Sequence, residues 1–366
     1  MDDPLLSVQD LTVRFRTRAG TVTAVDRVSF DLAEGETLAI LGETGSGKSV
    51  TAQALMGLVP RPAGQVAGGR IVYDGTDLLA RPRSDTRRLN GTDLAMVFQD
   101  PLSSLNPVFR VGAQIGELFR RRRGASRSEA RRKAIELMDR VGIPAAARRV
   151  DDYPHQFSGG MRQRVMIAMA IALQPRVLIA DEPTTALDVT VQAQVMALLA
   201  ELKAEHRMAM ILISHDLGVV AGVADRVMLM YAGRVVETGG LREVYETTGH
   251  PYTHGLMASI PALDGPRERL VPIKGSPPDL MRLTASCPFQ PRCEFATDIC
   301  DTERPELMPV PARPESHRAA CHHAKEVAAD VVPGSTPSPR AWLTPRCPRP
   351  RSRARTGTSP WPRTTR

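Results

Sequence analysis

Gly42-Glu-Thr-Gly-Ser-Gly-Lys-Ser49 decides how the rest of this chain is read. Its glycines let backbone N–H groups turn inward on a phosphate, Lys48 is placed to reach the β and γ phosphates, and the Ser49 hydroxyl is placed for Mg²⁺. Working outward, Thr37-Leu-Ala-Ile-Leu41 before it is a short apolar run suited to a buried strand, and helix-forming residues run from Lys48 to Met56 after it. A strand, this loop and a helix whose N-terminal dipole favours an anion together make a nucleotide site. Gly42, Glu43, Thr44, Gly45, Ser46, Gly47, Lys48 and Ser49 are therefore candidate ligands of a nucleotide's phosphates.

With 366 residues the chain has length for two domains and a sizeable core. It contains no apolar run of 18 residues, and its Met-Asp-Asp-Pro start lacks the basic and apolar regions of a secretory signal, so a cytosolic protein is expected. The formal charge of +8 suggests nucleic acid until it is located. Residues 331–366 hold eight Arg and no Lys, Asp or Glu, which leaves the remainder neutral and gives a nucleic-acid stripe no support. Arg120–Arg123 and Arg131–Lys133 read first as a solvated helix face and second as a docking patch.

Residues 5–40 come in short apolar bursts with turns at Gly20 and Gly35, the pattern of an antiparallel strand group. Phe15 lies where an aromatic ring could stack on adenine, and reads equally well as core. Pro60 to Gly69 is a Pro/Gly-rich connection, and Ile71-Val-Tyr-Asp-Gly is a further strand and turn. Ala95-Met-Val-Phe-Gln99 is a strand whose closing Gln99 could offer an amide oxygen to Mg²⁺ or to the attacking water. Helical periodicity then takes over from 102 to about 160, an inserted helical subdomain. It leads to Ser158, Gly159 and Gly160 at a helix start, a second anion-binding end unless Ser158 is only a cap.

Val177-Leu-Ile-Ala-Asp181-Glu182-Pro183 is an apolar strand that delivers two carboxylates. Asp181 can complete the Mg²⁺ shell beside Ser49, and Glu182 is free to take a proton from water. Asp188 caps the helix that begins at Val189 or serves the site. Met210-Ile-Leu-Ile-Ser214 is another buried strand ending on His215, at the carboxyl end where parallel α/β sheets bind ligands. Arg226–Tyr231 and Arg234–Glu237 form a closing hairpin across Ala232-Gly233.

Taken together, Gly42–Ser49, Gln99, Ser158–Gln163, Val177–Glu182, Asp188 and His215 resemble the ATP-binding subunit of an ABC transporter over about residues 5–240. Phe98–Pro107, Phe157–Met166 and Asp181–Gln192 resemble its oligopeptide/dipeptide/nickel importer branch. The fold this implies is α/β: a phosphate-loop, RecA-like ATPase domain over 1–244, with an antiparallel β subdomain and the inserted helices. The resemblance further implies Glu182, His215 and Gln99 as catalytic residues and a site shared by two such subunits, with Ser158, Gly159 and Gly160 of one facing the phosphate loop of the other. The branch favours a related rather than identical second ATPase subunit. Two membrane permease subunits and an extracytoplasmic solute-binding protein are the implied partners, at the cytoplasmic face of the membrane. Peptide uptake is the leading expectation; nickel or another small solute, or a non-transport ABC ATPase, are the alternatives.

His250–Met257, Ile273–Asp279 and Cys287–Cys293 resemble the C-terminal extension of this branch, set at 245–330. Cys287, Cys293, Cys300 and Cys321 supply the four thiolates of one [4Fe–4S] cluster, which some members of the branch carry there. Spacers of five, six and twenty residues fit zinc less well, and ordinary packing is the third reading. His317, His322 and His323 are possible substitute ligands. Residues 331–366, rich in Pro, Arg, Ser and Thr, are expected to be disordered.

Overall fold

Apolar, often β-branched runs become strands where both of their faces can be buried. The computed structural model, which describes residues 3–185, 187–259 and 272–330, forms them in this order: β1 (Leu6–Thr17), β2 (Gly20–Leu32), β3 (Thr37–Leu41), β4 (Gly64–Tyr73), β5 (Thr76–Asp77), β6 (Leu94–Val97), β7 (Val177–Asp181), β8 (Ala209–Ser214), β9 (Arg226–Tyr231), β10 (Arg234–Gly240), β11 (Met308–Pro309) and β12 (Arg318–Ala319). They make two sheets. One is antiparallel, in the order β2-β1-β4-β5. The other runs β11-β12-β10-β9-β3-β8-β7-β6, with β9, β3, β8, β7 and β6 mutually parallel.

Alternation along the parallel strands divides the core. Leu38, Ile40, Met96, Ile179, Ile211 and Met228 face one cluster, which includes β1, β2 and the helix Lys48–Leu55. Ala39, Leu41, Val97, Leu178, Leu212 and Leu229 face the other, built with helices on the opposite side. Those helices come mainly from the segment between β6 and β7: Val111–Arg123, Arg127–Arg140 and Gly159–Ile171. Ser126 caps the second of them by accepting from the Glu129 N–H at 3.2 Å. The apolar stripe Val111, Ile115 and Phe119 is buried, as helical spacing requires.

Parallel order places every strand's carboxyl end on one edge, so β3, β6, β7 and β8 deliver Gly42, Gln99, Asp181-Glu182 and His215 to the same side. Two expectations change. The Pro60–Gly69 connection is shorter, because β4 already pairs with β1 from Gly64, opposite Phe15. The C-terminal extension is not merely appended: β12 pairs with β10 and prolongs the catalytic sheet, and Phe289 and Tyr252 enter the larger core. The expected disordered tail, 331–366, lies outside the described residues.

Candidate functional site

The phosphate loop turns where β3 ends, and its glycines are there for space. At Gly42 (φ +147°) a Cβ would fall 2.3 Å from the Met230 carbonyl oxygen, and at Gly47 (φ +103°) 2.5 Å from that of Ala24. Only glycine tolerates both the conformation and the approach. Ser46 Oγ is buried without a protein partner, as expected of a cradle built for another group's oxygens. Thr44 and Gly45 are exposed at the crest.

Lys48 is buried, and its ammonium donates to the carbonyls of Gly42 (2.6 Å) and Glu43 (2.9 Å). Burial pulls its pKa below the ordinary lysine range, while Glu182, Asp181 and Glu43 oppose that pull. Ser49 Oγ donates to Asp181 Oδ1 at 3.0 Å. Burial raises the Asp181 pKa, Ser49 counters it by donating its hydrogen bond, and Glu182 adds to the rise. Two hard oxygen ligands, one of them a desolvated carboxylate, form a donor set that suits Mg²⁺.

Glu182 follows with φ +46°, an unusual backbone for a glutamate, and its N–H is held by the Ile213 carbonyl at 2.9 Å. Gln99 Nε2 and Thr185 Oγ1 each donate to Glu182 Oε2 at 2.9 Å, and His215 Nδ1 lies 3.4 Å from Oε1. His215 is 61% exposed against 12% for Glu182. A cavity of about 210 Å³ opens in front of Glu182 and His215. Gln99 thus turns its amide nitrogen to Glu182.

The structure does not bring every expected residue here. Ser158 accepts from the Met161 N–H at 3.3 Å, and Gly160 packs on Val191. Among the described residues no hydrogen bond joins Ser158, Gly159 or Gly160 to the phosphate loop. Asp188 caps the helix Val189–His206 by accepting from the Val191 N–H at 3.0 Å. Phe15 is half-buried against the core beside β4. Its cross-strand partner Val22 lines a cavity of about 360 Å³ with Glu43, Thr44, Gly45 and Ser46, walled on the far side by Pro277–Met281.

The sequence assigns no site role to that wall, to Thr185, or to the extension residues Tyr252 and Arg292. Glu43 N–H donates to Tyr252 Oη at 2.7 Å, and Arg292 grips the Glu43 carboxylate at 2.8 and 3.0 Å. Nothing local marks partners more than 200 residues apart.

The iron–sulfur expectation is overturned, and zinc has no site either: among the described residues no group of three or more His, Cys, Asp or Glu is placed to hold a metal ion. Burial favours the thiol form of three of them, raising Cys287 above the ordinary range, Cys293 to about 11 and Cys321 to about 12. Cys287 and Cys293 pack, partly buried, against the large core, and Cys321 packs against Val310 and Ala319. The histidines are engaged elsewhere: His317 with Glu237, His322 with the Glu303 carbonyl and His323 with Thr297. Four cysteines close in sequence were read as ligands, where they serve as small apolar side chains.

Comparison with known proteins agrees with the geometry. A family profile described as ABC transporter matches residues 25–185, and one described as oligopeptide/dipeptide transporter, C-terminal region, matches 236–300. The chain is 51% identical to the oligopeptide transport ATP-binding protein OppD of Haemophilus influenzae, over 81% of this chain and 92% of that one. It is 48% identical to the dipeptide transport ATP-binding protein DppD of Bacillus subtilis, over 87% and 94%. The dimeric ATP-binding cassette MJ0796, solved in a post-hydrolysis state with ADP and Pi, superimposes with a TM-score of 0.58 at 26% identity, covering 65% of this chain and 99% of that one.

Proposed function

This chain belongs to the ABC transporter family, in its oligopeptide and dipeptide branch, and from that premise we propose an ATPase that powers uptake of di- and oligopeptides through separate permease subunits. The observation that carries the reading is the meeting of Ser49 and Asp181 at 3.0 Å beside a loop shaped for phosphates, with Glu182 one residue further on. Residues 42–49 bind the triphosphate of ATP, the substrate. Ser49 and Asp181, with Gln99 nearby, would hold Mg²⁺, which neutralises phosphate charge.

Lys48 exchanges its two carbonyl partners for phosphate oxygens. Glu182 takes the proton of the attacking water, supported by the hydrogen bonds that fix its carboxylate. His215, exposed at the edge of the cavity, contacts the γ-phosphate or that water. Phe15 borders the adenine side. ATPase domain, helical subdomain and extension divide at about 102, 160 and 245.

Ser158 and Gly159 are exposed, and a Cβ on Gly159 would meet nothing within 4 Å. This supports a second ATPase subunit, related or identical, whose phosphate loop they cover, with Asp188 on the same face. The helices between β6 and β7 pass the movement to two permease subunits, fed by an extracytoplasmic binding protein. Among the described residues no helix is long and apolar enough to cross a membrane. In this reading the chain acts at the cytoplasmic face through those partners.

Proteoliposomes carrying the permease subunits test the reading. Peptide should accumulate only with this chain and ATP present. Accumulation independent of either, or of nickel in place of peptide, contradicts it.

A further inference from the structure

Glu43 is the one carboxylate within the phosphate loop, and a carboxylate there repels the phosphates the loop is built for. The fold answers this from far along the chain. Arg292 holds both Glu43 oxygens, at 2.8 and 3.0 Å, and only 5% of the Arg292 side chain is exposed. The guanidinium is itself fixed from three directions. Its Nε donates to the Lys274 carbonyl at 2.9 Å, Nη1 donates to Tyr231 Oη at 3.2 Å, and its plane sits 5.8 Å from the ring centres of Tyr231 and Phe289. The Glu43 backbone is pinned as well, since its N–H donates to Tyr252 Oη while its carbonyl accepts from Lys48.

We propose that Arg292 is a positioning residue for nucleotide binding: by neutralising and anchoring Glu43, the C-terminal extension sets the charge and shape of the phosphate loop. The inference rests on the reading of residues 42–49 as the ATP site and goes beyond it by giving the extension a part in that site. A bidentate Arg–carboxylate pair supplies direction as well as charge, so it fixes Glu43 in one orientation. Lys48 then finds the Glu43 carbonyl in a constant place before ATP arrives and can leave it without the loop collapsing. Hydrogen bonds of Arg292 to Glu43 and burial act in opposite senses on its pKa, and the hydrogen bonds prevail, so it stays charged throughout.

The test is a charge cycle on the full-length chain, titrated with a fluorescent ATP analogue and Mg²⁺ and assayed for turnover. Arg292→Gln should weaken nucleotide binding about ten-fold, the order expected of one uncompensated charge beside a polyanion in partly screened surroundings. The change should fall in KM with kcat little altered. Glu43→Gln combined with Arg292→Gln should recover most of the loss, because the repulsive charge is gone; a purely structural tether would not be relieved by a second lesion. Unaltered affinity in Arg292→Gln, or a loss that the double variant leaves in place, overturns the proposal.

If Arg292→Gln does not fold, Glu43→Gln is compared with the parent. The unpaired Arg292 should make Glu43→Gln the tighter binder, and equal affinities overturn the proposal. A parent chain that binds no nucleotide, or a Lys48→Ala variant that binds as the parent does, refutes the ATP site itself and not this inference alone.

Discussion

Glu237 Oε1 lies 2.8 Å from His317 Nε2, and neither side chain reaches solvent. The same carboxylate accepts from the backbone N–H groups of Gly249 and His250, so one residue of β10 holds the start of the helix Pro251–Ala258 and the segment before β12. Glu237→Ala leaves these buried groups without an acceptor and should cost about 3 kcal/mol or more. Denaturant unfolding checks this: the midpoint should fall clearly, and a parent-like midpoint would show that the network contributes nothing.

His250 gives stability a pH dependence with a definite sign. It is fully buried, its Nδ1 accepts from the Tyr252 N–H at 3.0 Å, and burial lowers its pKa to about 3. The unfolded chain takes up this proton near pH 6.5 and the folded chain does not, so stability is complete above that pH and is lost as pH falls towards 3. The slope from this one group is about 1.4 kcal/mol per pH unit. His250→Asn keeps a capping acceptor and removes the titration. Unfolding free energies at pH 5.5 and 7.5 should differ less in the variant than in the parent; equal differences would remove His250 from the account.

Gly47→Ala tests the loop's shape separately from its charge. The added Cβ meets the Ala24 carbonyl at 2.5 Å in a backbone region alanine avoids, a strain of about 1–3 kcal/mol. The loop should yield before the sheet does. Nucleotide affinity, read by the same fluorescent titration, should fall by at least ten-fold with a modest change in melting temperature. Undiminished affinity would show that the loop has room to spare.

What was legible in the sequence was whatever is local. Gly42–Ser49, the buried runs 37–41, 177–181 and 210–214, and the Ser158 helix start each announce themselves within a dozen residues, because loop, strand and cap chemistry act over that range. The parallel order of those strands then gathers Gln99, Asp181, Glu182 and His215 at one edge. Arg292 and Glu43 are 249 positions apart, and no periodicity joins them. The cysteines failed in the opposite way: their closeness in sequence looked like a ligand set, but among the described residues no group of three or more His, Cys, Asp or Glu is placed to hold a metal ion. Phe15 and Asp188 each carried two readings, and the structure shows the structural one of each: Phe15 beside β4 and Asp188 at the cap of Val189–His206.

Ser158 and Gly159 stand exposed, with no hydrogen bond to the phosphate loop of their own chain among the described residues. Each nucleotide should therefore need two subunits. ATP turnover per chain, measured with the purified chain alone or with its related partner subunit, should fall steeply on dilution below the dissociation constant of the pair. Turnover per chain that stays constant at any dilution would mean that a single subunit suffices.

Glu182→Gln tests the central claim most directly. Gln99, Thr185 and the Ile213 carbonyl remain available to hold the side chain and its backbone, so the variant should bind Mg²⁺-ATP with parent-like affinity. Losing the proton acceptor should reduce hydrolysis by about 10²-fold or more. Tight binding with turnover almost gone is the result this account predicts, and parent-like turnover in Glu182→Gln would contradict it.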